Sequence, residues 1–259
     1  MIYRILALGD VVGPEAVWFV KSRLKGIKER LGIDFTVING ENSAKSNGID
    51  RKSADDLFFA GADVITTGNH AFKRSEIREY YNTQPALLRP ANYPDSVAGK
   101  GWCVVERAGV RVLVMNVLGL MYLEPLACPF AATERMLKEA EGLYDISVMD
   151  IHAEATSEKI AFSHAFDGRI NVIFGTHTHV QTADNRIMPK GTGYITDLGM
   201  CGPENSVLGI KTENIIEKLT MHTPVKFDFS ENLIELHGAV FEIDTEKGRA
   251  VDVRRYYSR

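Results

Sequence analysis

Seven side chains able to bind a divalent cation stand just behind short apolar runs: Asp10, Glu41, Asn42, Asn69, His152, His177 and His179. The runs are Arg4–Leu8, Phe35–Asn39, Val64–Thr67, Ile146–Ile151 and Ile170–Phe174, each short and apolar enough to be a buried strand. In open α/β sheets a ligand lies in the crevice at the carboxyl ends of the strands. Carboxylate, amide and imidazole donors without thiolate suit Mn, Fe, Zn or Co better than copper or a structural zinc. His177-Thr178-His179 is the densest piece. Read as an extended segment, it puts two imidazoles on one side, where both need partners. Taken singly, the others have ordinary readings: Asp10 as a helix cap or turn former, Glu41-Asn42 as loop polarity, Gly68-Asn69-His70 as a turn, His152 as a hydrogen-bonded histidine. Their shared place at strand ends is what joins them.

Seven donors exceed the needs of one four- to six-coordinate ion and imply two, with a shared carboxylate bridging at roughly 3.5–4 Å. Such a pair grips a phosphate, lowers the pKa of a bound water and stabilises both oxygens of an in-line displacement. The chemistry expected is metal-assisted phosphoester hydrolysis. His70, beside Asn69 and outside the ligand set, is placed to donate a proton to the departing oxygen. Its alternative role is a hydrogen bond that orients Asn69 or a metal-bound oxygen.

The elements that must position these groups alternate strand and helix, the pattern of an α/β fold. After Gly13-Pro14, Val17, Val20, Leu24, Ile27 and Leu31 recur at helical spacing. Further helices are expected near 53–60, 75–81, 132–141 and 157–166, the last capped by Thr156 or Ser157. Trp102–Glu106 and Val110–Val117 flank Ala108-Gly109 as a hairpin, Leu118–Phe130 reads as irregular, and Leu233–Ile243 with Ala250–Tyr256 reads as an antiparallel tail. No linker or repeat interrupts the chain, so one domain over 1–259 is expected.

Composition narrows the partners. The 259 residues carry 30 basic and 34 acidic side chains, a formal charge of −4, which disfavours a binder of long duplex nucleic acid. Three scattered cysteines form no CxxC pair, and no apolar stretch approaches the ~20 residues of a membrane span. A reduced, cytoplasmic protein is expected, without a membrane partner. There is no GxSxG, GxxxxGK[ST], HExxH or GxGxxG motif to suggest another chemistry.

The combination Gly9-Asp10, Gly40-Glu41-Asn42, Gly68-Asn69-His70, His152 and Gly175-Thr176-His177-Thr178-His179 resembles the calcineurin-like metallophosphoesterases and, within them, the bacterial YmdB-type phosphodiesterases. The likeness spans nearly the whole chain. Its most specific stretches are Asn39-Gly40-Glu41-Asn42, Arg89-Pro90-Ala91-Asn92, the run from His152 to Lys159 and the run from Gly175 to Asn185. Two departures from the broad superfamily, Val11-Val12 where a histidine is usual and Glu41 where an aspartate bridges, are features of the YmdB-type group, with Asn42 filling the vacancy. Ala71-Phe72, Lys45-Ser46-Asn47-Gly48 and Cys201 depart from the group's pattern without touching a predicted ligand.

The resemblance implies a calcineurin-like α/β/β/α sandwich with mixed sheets and a dinuclear centre. One ion would take Asp10, Glu41, Asn42 and His179, the other Glu41, Asn69, His152 and His177, with Glu41 as bridge. Mn or Fe come first as the metals, with Zn, Co or Mg as alternatives. The implied substrates are cyclic nucleotides, 2′,3′-cyclic or 3′,5′-cyclic monophosphates, attacked by a metal-bridging hydroxide while His70 assists the leaving oxygen. Arg89 is expected either to contact a phosphate oxygen or to form a surface salt bridge. The alternatives are a nuclease or phosphomonoesterase on the same centre, or a nucleotide-sensing regulator with little turnover. Met121-Tyr122-Leu123 offers a subunit contact in a homo-oligomer, a lid, or plain burial.

Overall fold

The computed structural model describes residues 1–259. The chain begins with β1 (Ile2–Leu8), β2 (Asp10–Val11), α1 (Gly13–Leu31), β3 (Phe35–Asn39), α2 (Arg51–Ala60), β4 (Val64–Thr66) and α3 (Ile77–Thr83). It continues through β5 (Trp102–Arg107), β6 (Val110–Leu118), α4 (Pro129–Glu139), β7 (Ile146–His152), α5 (Thr156–Phe166) and β8 (Val172–Thr176). The last part holds β9 (Arg186–Ile187), β10 (Gly193–Ile195), β11 (Met200–Pro203), α6 (Thr212–Met221), β12 (Ile234–Asp244) and β13 (Arg249–Ser258).

Two mixed sheets form. One runs β2-β11-β12-β1-β3-β4, with β13 also paired to β12; the other runs β5-β6-β7-β8-β10-β9. Strands β1, β3 and β4 are parallel, as are β6, β7, β8 and β10, while β5 and β9 close the second sheet antiparallel. Strand periodicity sorts the core into layers. Along β1, Tyr3, Ile5 and Ala7 face the other sheet, and Leu6 and Leu8 face α1. Along β6, Val112 and Val114 face inward between the sheets, while Leu113, Met115 and Val117 pack with α4 and α5. The result is an α/β/β/α sandwich with three apolar layers.

The inner face changes character at the carboxyl ends of the strands. Phe35 and Val37 give way to Asn39, Val64 to Thr66, Val148 to Asp150 and His152, and Phe174 to Thr176, all buried. The inter-sheet core therefore ends in a polar layer directly beneath the strand-end loops.

Several local expectations are corrected. Helix α5 has Ala155 at its cap position and no side-chain cap, so neither Thr156 nor Ser157 caps it. Asp10 lies in a strand and does not cap α1, whose cap residue is Val12. Helix α6, strands β9 to β11 and the helical start at Pro129 lie where the sequence pattern predicted no element. No helix is long and apolar enough to cross a membrane.

Candidate metal centre

His152 ends β7 with its ring fully buried. Its Nε2 stands 3.1 Å from Glu41 Oε1, 3.0 Å from Asn69 Oδ1 and 3.0 Å from His177 Nδ1. The ligand atoms of Glu41, His152 and His177 all lie within 4.8 Å of one another. Glu41 reaches from this cluster toward a second one, its Oε1 accepting from Asn42 Nδ2 at 3.2 Å. There His179 Nε2 lies 3.3 Å from Asn42 Nδ2 and 3.6 Å from Asp10 Oδ1. Glu41 thus stands between Asn69, His152 and His177 on one side and Asp10, Asn42 and His179 on the other.

The placement of protons shows which lone pairs point inward. Thr176 Oγ1 donates to Asp150 Oδ1 at 2.7 Å, so it accepts from His152 Nδ1 at 2.8 Å. The opposite oxygen of Asp150 accepts from Thr66 Oγ1 at 2.5 Å and Asn39 Nδ2 at 3.0 Å. With Nδ1 committed as donor, His152 would present Nε2 to a metal once the proton shared there with Glu41 leaves, the arrangement found behind metal-bound imidazoles. Glu154 does the same for His177: its Oε2 is 3.0 Å from His177 Nε2, which leaves His177 Nδ1 bare. Asp10 Oδ2 accepts from the backbone N of His177 at 3.1 Å, but Asp10 Oδ1 and His179 Nδ1 are buried without a partner.

Buried acceptors crowded together with too few protons between them are costly unless a cation joins them. This donor set fits divalent metal. Asn42 presents Nδ2 to the centre and Oδ1 to His70, so ligation by its oxygen requires a half-turn of the amide. The packing is also tight: a Cβ on Gly68 would sit 2.2 Å from His152 Cδ2.

Burial and neighbouring charge set the ionisation of the metal-free centre. Burial, with Glu41 and Asp197 nearby, pushes Asp10 up to about 7 against the pull of His152. For Glu41 burial works the same way, but His152 and His70 outweigh it and hold the carboxyl well below its usual range. Burial lowers His152, yet Glu41, Asp10 and Asp150 outweigh that and raise it to about 9. Burial and the charge of His152 bring His177 down to about 3, and burial chiefly brings His179 down to about 4. Burial lifts Asp150 to about 6 despite His152 and its three hydrogen-bond donors.

Every expected ligand therefore faces one crevice, though not in the backbone form expected for two of them. His177 and His179 lie beyond β8 with φ of 100° and 63°, so each takes a positive φ and the segment is not extended. His70 borders the crevice, its Nδ1 3.0 Å from Asn42 Oδ1 and 3.6 Å from Glu41 Oε1. Arg89 is elsewhere. It is buried, and its guanidinium donates to the carbonyls of Pro90 at 2.8 Å, Ala98 at 3.3 Å and Val97 at 3.5 Å. A buried guanidinium must satisfy its donors, and these carbonyls do so; Arg89 lines a separate cavity with Asp95 and Arg135. Both expected roles, phosphate contact and surface salt bridge, give way to a brace for the 90–98 loop.

Sequence reading passed over Asp150, Thr176, Glu154 and a buried ion pair. Lys159 Nζ donates to Asp197 Oδ2 and to Thr176 O, each at 2.7 Å. Asp197 in turn accepts from the backbone N and the hydroxyl of Thr178, tying down the loop that carries His177 and His179. Asp150 was findable: it sits two residues before His152 and so shares its strand face.

The centre opens into a cavity of about 800 Å³. Glu41, Asn42, His70, His177 and His179 line one part, Leu208, Ile210, Ile215, Phe227 and Phe229 another, and Lys45, Lys73 and Lys226 also line it.

The sequence profile of the family described as YmdB-like protein matches residues 6–256. A 2′,3′-cyclic-nucleotide 2′-phosphodiesterase of Bacillus subtilis (strain 168) is 43% identical over 252 residues, covering 97% of this chain and 96% of that one. Among solved structures, a novel phosphatase from Mycoplasma pneumoniae superimposes with a TM-score of 0.92 at 34% identity, covering 100% of this chain and 94% of the other. A hypothetical protein from Thermus thermophilus does so with a TM-score of 0.91 at 36% identity, covering 98% of each.

Proposed function

Because the chain belongs to the YmdB-like protein family, we propose that it is a metal-dependent phosphodiesterase that opens cyclic nucleotides, 2′,3′-cyclic or 3′,5′-cyclic monophosphates. The name of the Bacillus subtilis relative supports the substrate class. The observation that carries the chemistry is Glu41, placed between two clusters of inward-facing donors, beside the unpartnered Asp10 Oδ1.

Asp10, Glu41, Asn42 and His179 would hold one divalent ion, and Glu41, Asn69, His152 and His177 the other, with Mn or Fe as first candidates. Bound there, the ions supply a water of lowered pKa and positive charge for the phosphate oxygens. The chain's own groups do the rest. Thr176 and Glu154 keep protons on the outward nitrogens of His152 and His177. With Asn42 turned to ligate through its oxygen, its Nδ2 would donate to His70 Nδ1 and place the ring proton on Nε2, which would pass it to the leaving alkoxide with the Asn47 amide, 3.4 Å away, turned aside. The whole of 1–259 acts as one unit in this reading.

The test is turnover by Mn²⁺-loaded protein of 2′,3′-cyclic AMP, 3′,5′-cyclic AMP, bis-p-nitrophenyl phosphate, p-nitrophenyl phosphate and short RNA. Cyclic-nucleotide hydrolysis with about two ions per chain is expected. Preference for p-nitrophenyl phosphate or RNA would instead favour a phosphomonoesterase or nuclease, and binding without turnover a nucleotide sensor. Glu41→Ala should cost more than about 100-fold in kcat/KM, because even groups behind metal ligands are worth 10–100-fold. His70→Ala should lower kcat on 2′,3′-cyclic AMP by about 10²-fold or more and spare bis-p-nitrophenyl phosphate, whose leaving group needs no proton.

A further inference from the structure

The apolar part of the cavity has no role in the hydrolysis described above. Its aromatic members belong to the sequence Lys226-Phe227-Asp228-Phe229, in which charged and aromatic residues alternate. The segment is held in place: Lys211 N donates to Asp228 O at 3.0 Å, Ser230 N donates to Gly209 O at 2.9 Å, and Phe229 bridges to Ile210. Phe229 lies against the start of α1, where a Cβ on Gly13 would meet its ring at 3.5 Å. Gly13 N donates to Asn42 O at 3.0 Å, so the wall begins next to the candidate ligands Asp10 and Asn42. Phe227 nevertheless leaves 49% of its surface exposed and stacks on no other ring of the chain.

A half-exposed phenyl ring beside a phosphate-binding centre is unfavourable in water and useful against a flat π-face. Lys226 and Asp228, paired at 3.1 Å, flank it with a donor and an acceptor suited to the polar edge of a heterocycle. We propose that Phe227 and Phe229 form the nucleobase subsite, which seats the base of the substrate while the strand-end residues hold its phosphate. This rests on the phosphodiesterase reading and makes the wall the source of preference for nucleotides over other cyclic diesters. Stacking of this kind tolerates every base, because each presents a π-face.

The test compares 2′,3′-cyclic AMP with glycerol 1,2-cyclic phosphate, a cyclic diester without a base, on Mn²⁺-loaded protein. Phe227→Ala should raise KM for the nucleotide about tenfold, in line with aromatic–base stacking, and leave kcat and the glycerol diester unchanged. Phe227→Trp should restore the nucleotide KM. Equal effects on both substrates, or none on either, would overturn the subsite. Calorimetry with adenosine 3′-monophosphate provides an arm that needs no turnover: Phe227→Ala should weaken binding about tenfold, and unchanged affinity would overturn the proposal. If neither diester is hydrolysed, the catalytic reading falls and this binding comparison still decides the subsite.

Discussion

Asp10, Glu41, His152 and Thr176 stand on or just behind strand ends with at most 1% of their surface exposed, whereas α6, which contributes Ile215 to the wall of the same cavity, buries no residue at all. In and beneath the first set, Asp150, Thr176 and His152 are hydrogen-bonded at 2.5–3.0 Å to one another and to Asn39 and Thr66, so the partners come from both sheets. Around the second, Leu208, Ile216, Leu219 and Phe227 are each about half exposed or more. Burying polar groups demands complete hydrogen bonding, which fixes their positions closely. An apolar, half-exposed wall has no such demand and can change without disturbing the floor. Chemistry and selectivity are thereby assigned to regions of different burial.

The contrast breaks first at the buried ion pair under the floor. Lys159→Met removes the one cation paired with the buried Asp197 and should destabilise the protein by about 3–5 kcal/mol in denaturant unfolding. A loss below 1 kcal/mol would mean that the pair is dispensable to the floor.

The next largest effect is on metal affinity as a function of pH. Cation binding must displace the protons held by Asp10, raised to about 7, and by His152, raised to about 9. His177 and His179, near 3 and 4, are already neutral and add nothing above pH 5. Affinity should therefore rise with pH, by about 1,000-fold from pH 6 to 8, about 100-fold from His152 and about tenfold from Asp10, since each proton displaced below its pKa gives up to tenfold per unit. Mn²⁺ titrations across that range check it; a flat profile would contradict the protonation pattern.

Asp150→Asn keeps the shape but removes the charge that holds Thr176 and, through it, the His152 tautomer. Mn²⁺ affinity should fall about 10–100-fold, measured by chelator competition. Helix α6 provides the smallest effect. Leu219→Ser, on the exposed face of α6, should change stability by no more than about 0.5 kcal/mol, whereas Leu113→Ala in the buried core should cost about 2–5 kcal/mol. Similar losses at both positions would erase the distinction between the exposed helix α6 and the buried core.

Much of the floor was legible in the residues alone. Strands β1, β3, β4, β7 and β8 each show an apolar run that ends in, or within two residues is followed by, a polar residue, and that junction is a local property of the chain. The hairpin β5–β6 was legible for a similar reason, its two-residue turn Ala108-Gly109 having φ of 51° and 77°. The stretch between β8 and β12 was not. Strands β9, β10 and β11 span two, three and four residues, too short for a period to register. Helix α6 is different: Ile215, Ile216 and Leu219 stand at helical spacing on one side, a legible signal although the helix buries no residue. Asp197 stayed hidden with β10, whose end it follows. The pairing of His177 with His179 was recognised for a partly mistaken reason: their positive φ values turn the rings into the crevice where an extended strand would not.

Residue types at the strand ends, the α/β order and family membership are written in the chain itself. These follow from short-range patterns, in which one residue and its near neighbours suffice. The tertiary structure decided which side chains meet. Asp150 is held by Asn39 and Thr66 from the opposite sheet, 111 and 84 residues away, and Arg89 turned inward to loop carbonyls instead of toward phosphate. Such contacts depend on how two sheets stack and where a buried charge can satisfy its donors, which no local periodicity encodes.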